Sequence, residues 1–133
     1  MNPGSRYGGE RWAVRAHVGL RWWSCPFDAV LGQMPATGRI LDYGCGHGVL
    51  TGELAARPGT EVVGVDVDPA KVEVAARTLG GTARVEVIGP GAVPAGPWDG
   101  IAVVDVLYLL DGAARADLLR RLAAELAPGG RIV

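Results

Sequence analysis

The chain has 133 residues, 49% of them hydrophobic and 20% charged, which suits one domain with a filled core and excludes a disordered chain. Thirteen basic against fourteen acidic residues leave a net charge of -1, so no domain-wide field draws in nucleic acid or selects acidic substrates. Two cysteines, Cys25 and Cys45, are too few for a disulfide framework and fit no CxxC or Cys/His ligand spacing, so no metal is expected and a reducing cytoplasm fits best.

In chain order, residues 1 to 9 carry glycines and a proline, show no apolar signal-peptide core and are expected to fray. Glu10 to Ser24 is expected to form a helix with Trp12, Ala16, Leu20 and Trp23 near one face. Pro26 ends it, and Phe27 to Met34 reads as a second short helix stopped by Pro35-Ala36-Thr37-Gly38, so residues 1-38 form an N-terminal helical segment. A first strand, Arg39 to Tyr43, then runs into Gly44-Cys45-Gly46-His47-Gly48, where three glycines alternate and something must approach the backbone closely. Val49 to Arg57 reads as a helix closed by Pro58-Gly59-Thr60, and Glu61 to Val65 as a second strand ending at Asp66.

Asp68-Pro69 supplies the cap and first-turn proline of a helix to Leu79, with a stripe of Val72, Ala75, Ala76 and Leu79. After Gly80-Gly81, a third strand covers Ala83 to Ile88, and Gly89 to Pro97 is a loop. The fourth strand, Asp99 to Val104, is apolar throughout after Gly100, as a strand buried on both faces should be. Asp111 caps a helix to Ala127, with Leu118, Leu122 and Leu126 at the helical period. Pro128-Gly129-Gly130 stops it, and Arg131-Ile132-Val133 begins a fifth strand. No apolar run approaches the roughly 18 residues of a spanning helix.

Strands alternating with helices imply an α/β, Rossmann-like parallel sheet with helices on both faces, truncated after the start of the fifth strand. The ligand crevice of such a sheet lies beyond the strand carboxyl ends, where Asp42, Asp66 and Asp105 are all expected. A strand, a glycine turn, a helix and a second strand ending in an acid make a nucleotide-ribose unit. The spacing Gly44-x-Gly46-x-Gly48 is not the dinucleotide spacing GxGxxG, and Asp42 sits badly beside a pyrophosphate. A phosphate-free cofactor with a cationic amino end suits that acid better.

These residues resemble the class I methyltransferases that use S-adenosylmethionine. Ile40-Leu41-Asp42-Tyr43-Gly44-Cys45-Gly46-His47-Gly48 is similar to their first motif, and Gly64-Val65-Asp66-Val67-Asp68-Pro69 to the second strand with its ribose-binding acid. Trp98-Asp99-Gly100-Ile101 through Asp105-Val106-Leu107 resembles the fourth-strand motif, and Leu126-Ala127-Pro128-Gly129-Gly130-Arg131 the turn into the fifth strand. The resemblance covers residues 39-133 and implies a cofactor-binding core there. It implies that Gly44, Cys45 and Gly46 border the methionyl part, that Asp42 orients the amino end and that Asp66 holds the ribose hydroxyls. Val67 would lie beside the adenine, with Asp105 and Val106 as the other wall. Where many relatives carry an acid for the adenine amino group, this chain has Gly89-Pro90 after Ile88, which leaves that contact to the backbone or unmade.

The implied reaction is methyl transfer by in-line displacement, in which positioning alone contributes about 7 to 11 kcal/mol. A general base is needed only for a poorly acidic nucleophile, and His47, Tyr108 and His17 are the candidates. A small-molecule or lipid-like acceptor is expected, because the fourth-strand motif lacks the Asn-Pro-Pro-Tyr type signature of base amino methylation, which weighs against nucleic acid. Arg11 to Trp23 interleaves Arg11, Arg15 and Arg21 with Trp12, Trp22 and Trp23. It covers the cofactor, grips an anionic or lipid-like acceptor, touches a membrane peripherally or contacts a partner, or else simply packs its tryptophans on the sheet. The competing functions are a non-catalytic S-adenosylmethionine-binding module and a nucleotide-dependent oxidoreductase.

Overall fold

The computed structural model describes residues 5-133, so the fraying expected over residues 1-4 lies outside the described residues. Five strands, β1 (Gly38–Tyr43), β2 (Thr60–Asp66), β3 (Arg84–Val87), β4 (Trp98–Ala102) and β5 (Leu126–Ile132), pair in parallel in the order β3-β2-β1-β4-β5. Helices α1 (Trp12–Ser24) and α2 (Phe27–Gln33) precede β1. Helices α3 (Val49–Ala55), α4 (Pro69–Leu79) and α5 (Gly112–Ala124) follow β1, β2 and β4. The expected Rossmann-like sheet is thus the one the chain forms.

Side chains alternate across a strand, so β1 feeds two cores at once. Ile40 packs with Phe27, Val49, Leu50, Leu54 and Val62 on one face. Leu41 and Tyr43 pack with Trp98, Ile101, Leu118 and Leu122 on the other. Burial on both faces is why these strands read as continuous apolar runs. Helix α4 begins where the sequence says: the Asp68 carboxylate accepts from the amides of Ala70 and Lys71, Pro69 takes the first turn, and Gly80 closes the helix in a left-handed conformation.

Three expectations are corrected. Residues 5-9, expected to fray, are not loose: Tyr7 is buried and Arg6 pairs with Glu53 at 2.6 Å; Glu10, expected to start the first helix, lies before it and accepts from Arg77 Nε and Nη2 on its two carboxylate oxygens, each at 2.9 Å. The segment straps α3 and α4 to the start of the chain.

Helix α1 faces the other way round. Val18 is buried, with Val14 and Trp22 packed beside it, whereas Trp12 and Trp23 are 80% and 86% exposed and Leu20 is exposed with them. Trp22 instead stacks on Phe27, ring centroids 5.6 Å apart. The stripe of Val14, Val18 and Trp22 meets the body of the protein instead, because Val18 and Trp22 fit against the cluster that holds Phe27, which leaves Trp12 and Trp23 on the outer side.

Helix α5 stops at Ala124, three residues early. The Glu125 carbonyl accepts from the Trp98 amide at 2.9 Å and its side chain from the Gly96 amide at 2.6 Å, which pulls Leu126 into β5 opposite Trp98. The register then slips between Trp98 and Gly100, so Pro128-Gly129-Gly130 forms an irregularity inside β5 instead of a turn before it.

Candidate functional site

The strand order reverses between β1 and β4, and the carboxyl ends of those two strands open a crevice at the switch point. The glycine turn lines one side. Gly44 (φ +81°), Gly46 (φ +55°) and Gly48 (φ +83°) all lie in the left-handed region that side chains avoid, which is the local reason for three glycines. The amides of Gly44 and Cys45 both donate to the Val65 carbonyl, at 2.8 and 2.9 Å, tying the turn to the end of β2.

At the end of β2, Asp66 accepts from the Gly46 amide at 2.8 Å on Oδ2 and from the Asp68 amide at 2.9 Å on Oδ1. Each carboxylate oxygen keeps a further acceptor site, so Asp66 is fixed in direction and still able to bind. Val67, half exposed, stands next to it.

Asp42 lies at the floor of the crevice, 2% exposed, and accepts from Thr51 Oγ1 at 2.6 Å. Burial pushes its carboxyl up to about 6, against the Thr51 hydrogen bond and the charge of Arg21, which favour the ionised form. Thr51, in the first turn of α3, is a functional neighbour that sequence reasoning missed. Its nine-residue separation from Asp42 across the glycine turn was the available signal.

The two outer glycines serve packing within the chain. A Cβ on Gly44 would strike Val106 Cγ2, and one on Gly48 would come 3.0 Å from Ala75 Cβ. Val106 therefore closes against Gly44 from the β4 side. Of the three, only Gly46 has no atom of the described residues within 4 Å of a would-be Cβ, so the open face of the turn is there. Cys45 packs against Gly64, and its burial pushes the thiol up and leaves it a poor nucleophile.

Beyond β4, Asp105 has φ +56°, a conformation uncommon outside glycine. Its carboxylate sits 3.3 Å from Arg21 Nη2, and Oδ2 accepts a long bond from Cys25 Sγ at 3.7 Å. Helix α1 is thereby drawn over the crevice, and His17 and Arg21 join Lys71 and His47 in lining it. His17 and His47, two of the three candidate bases, meet edge to face with ring centroids 5.2 Å apart. Burial lowers both imidazoles below their usual range, helped by the charges of Arg21 and Lys71. Tyr108, the third candidate, is 71% exposed in the 3-10 turn Leu107–Leu109 and does not line the crevice.

Tyr7 was also missed: a lone aromatic in a glycine-rich stretch gave little sign of burial. Its hydroxyl donates to the His47 carbonyl at 2.6 Å and so props the glycine turn from below. Tyr7→Phe is expected to cost about 1 kcal/mol of stability, read by urea unfolding. An unchanged midpoint would mean that the bond contributes nothing net. Among the described residues no group of three or more His, Cys, Asp or Glu side chains is placed to hold a metal ion, and no helix is long and apolar enough to cross a membrane.

The chain is 32% identical over 136 residues to the ribosomal protein L11 methyltransferase of Bordetella parapertussis, a match covering 100% of this chain and 39% of that protein. It is 37% identical over 108 residues to the trans-aconitate 2-methyltransferase of Methylobacterium nodulans, covering 79% and 41% respectively. The chain thus spans about two fifths of the length of these curated relatives. Among solved structures, a TehB-like SAM-dependent methyltransferase from Corynebacterium glutamicum superposes with a TM-score of 0.71 at 25% identity, over 98% of this chain and 72% of that one. A SAM-dependent methyltransferase from Thiobacillus denitrificans, in complex with S-adenosyl-L-homocysteine, gives 0.64 at 29% identity, over 82% and 47%. Residues 40-130, which hold the glycine turn, both acids and the strands that frame the crevice, match the family described as methyltransferase domain, and the chain belongs to that family.

Proposed function

We propose that the crevice binds S-adenosylmethionine and that the protein transfers its methyl group to a small-molecule or lipid-like acceptor by in-line displacement. The observation that carries this reading is Asp66, held by the amides of Gly46 and Asp68 beside the one open face of the glycine turn. The residues suit such a cofactor. Asp66 has acceptor capacity left for a ribose diol, Gly46 leaves space above the backbone, and Asp42 sets a carboxylate at the floor for a cationic amino group.

When bound, S-adenosylmethionine supplies a methyl carbon activated by its positively charged sulfur. The chain's own residues bind and align. Asp66 accepts from the ribose hydroxyls, Val67 lies along the adenine, and Asp42 accepts from the amino group. Gly44, Cys45 and Gly46 border the methionyl part, and Asp105 with Val106 forms the opposite wall. His17 and His47, whose imidazoles are shifted toward the neutral form, line the crevice where they can take a proton from an acceptor group that must lose one. Alignment of nucleophile, methyl and sulfur supplies the larger share of the rate.

A protein acceptor is the second reading, favoured by the L11 methyltransferase relatives that match along the whole chain. Calorimetry with S-adenosylmethionine, S-adenosylhomocysteine and NAD tests the cofactor: the first two are expected to bind, and binding of NAD alone would overturn the proposal. Transfer of labelled methyl into the small-molecule fraction or the ribosomal-protein fraction of a cell extract then divides the two acceptors. Cofactor binding with no transfer to either points to a binding module.

A further inference from the structure

Helix α1 turns its crevice-lining side inward and presents two tryptophans and two unpaired arginines to solvent. We infer that this outer face docks on an anionic lipid surface, with Trp12, Leu20 and Trp23 entering the headgroup layer and Arg11 and Arg15 meeting its charge. The inference extends the lipid-like acceptor reading, on which it rests only for what the docking serves.

Trp12, Leu20 and Trp23 are 80%, 63% and 86% exposed. Close to three helical turns separate the two tryptophans, so both leave the same side of α1, roughly 16 Å apart along its axis. The other large apolar side chains that stand in solvent gather at the same end of the sheet. Val67 and Val87 lie at the carboxyl ends of β2 and β3, and Tyr108 and Leu109 in the turn beyond β4. Among the described residues none is exposed at the amino ends of the strands. Apolar surface collected on one side of a molecule and edged by charge marks a place where something binds.

The arginines say what kind of surface that is. Every other arginine of the chain engages its guanidinium with a carboxylate or a backbone carbonyl. Arg11 and Arg15 are exposed and have no side-chain partner among the described residues. No acid lies between Glu10 and Asp28, Glu10 is taken by Arg77, and Asp105 by Arg21. Positive charge beside the tryptophans is therefore unopposed. A layer of anionic headgroups supplies both missing partners, while an indole buries its ring and keeps its N–H at the wet level. None of these five α1 side chains lines the crevice or the two larger hollows at the amino ends of the strands. A protein partner packs into recesses, and a bilayer needs none. Docked on this face, the protein holds its crevice one helix diameter, about 10 Å, from the headgroups, within reach of an acceptor that stands out of the bilayer.

Co-sedimentation with phosphatidylcholine vesicles, with and without phosphatidylglycerol, tests the docking. The wild type is expected to bind the anionic vesicles, more weakly at high salt, and to bind phosphatidylcholine alone poorly. Its tryptophan emission should shift to the blue on binding, a change that reports Trp12 and Trp23 because Trp98 is buried and Trp22 is packed on Phe27. Trp12→Ala with Trp23→Ala, and separately Arg11→Gln with Arg15→Gln, should each lower vesicle binding at least about tenfold. Both double variants should keep the far-UV circular dichroism and the S-adenosylhomocysteine affinity of the wild type, since none of the four residues faces the crevice. No binding of the wild type to anionic vesicles, or binding that either double variant leaves unchanged, overturns the docking surface. If the wild type ignores vesicles and the tryptophan variant loses methyl transfer to the ribosomal-protein fraction, the face serves a protein and lipid docking is overturned. A dimer that the tryptophan variant splits, again without vesicle binding, assigns the face to a second copy and overturns it too. Vesicle binding by a wild type that fails to bind S-adenosylhomocysteine overturns the cofactor reading and leaves the docking surface standing.

Discussion

Asp66→Ala is expected to weaken S-adenosylmethionine binding by about 10- to 100-fold, because charge-assisted hydrogen bonds to ribose hydroxyls contribute about 1.5 to 3 kcal/mol. The structure adds a reason for the upper end of that range. The same carboxylate accepts from the amides of Gly46 and Asp68, so its removal also releases the turn that leaves space for the ligand. Asp66→Asn keeps one acceptor oxygen and should lose less. Calorimetry at constant pH makes the comparison, and a change below about threefold for Asp66→Ala would place the ribose elsewhere.

Asp42→Asn should stabilise the fold and weaken the ligand at once. Burial raises the carboxyl from its ordinary 3.8 to about 6, so the folded protein holds a proton that the unfolded chain has already released. That contribution to stability is complete below 3.8 and is lost as the pH climbs through 6. Above 6 the buried carboxylate costs the fold about 3 kcal/mol. The amide avoids the cost and still offers Thr51 an acceptor oxygen, so urea unfolding should show the variant more stable by up to that amount at pH 8 and little changed at pH 4. Binding is expected to move the other way: the variant lacks the negative charge proposed to meet the ammonium, and the wild type should lose affinity as the pH falls below 6. A variant no more stable at pH 8 would show that the carboxylate is not penalised where it lies. Such a trade between stability and binding is expected where a charge is kept buried for a ligand.

Much of this was legible in the residues because it is local. The apolar run Val62-Val63-Gly64-Val65, the Asp68-Pro69 start of α4 and the alternating glycines each encode their conformation within a few positions, through side-chain alternation, capping and positive φ. Helix α1 was misread because its sequence holds two apolar stripes and its period cannot say which one meets the body of the protein. The larger stripe, with Trp12 and Trp23, ended in solvent. Leu126 kept the helical period of Leu118 and Leu122 and still joined β5, because the Trp98 amide claims the Glu125 carbonyl and sheet pairing follows.

The roles of the glycines show the same division. Positive φ at Gly44 is written in the turn, but the neighbour that makes a side chain impossible there is Val106, sixty-two positions further on. Tyr7 beneath His47, Thr51 on Asp42 and Arg21 beside Asp105 likewise join residues far apart in the chain.

By itself the sequence determined the alternation of strands and helices, the glycine turn and the two acids at strand ends, because dihedral preference and apolar period act over short stretches. Only the tertiary structure decided which face of α1 is buried, how far the Asp42 carboxyl is raised and which bases gather at the mouth of the crevice. Desolvation and the fields of neighbouring charges depend on what the fold brings close, and no spacing along the chain sets that distance.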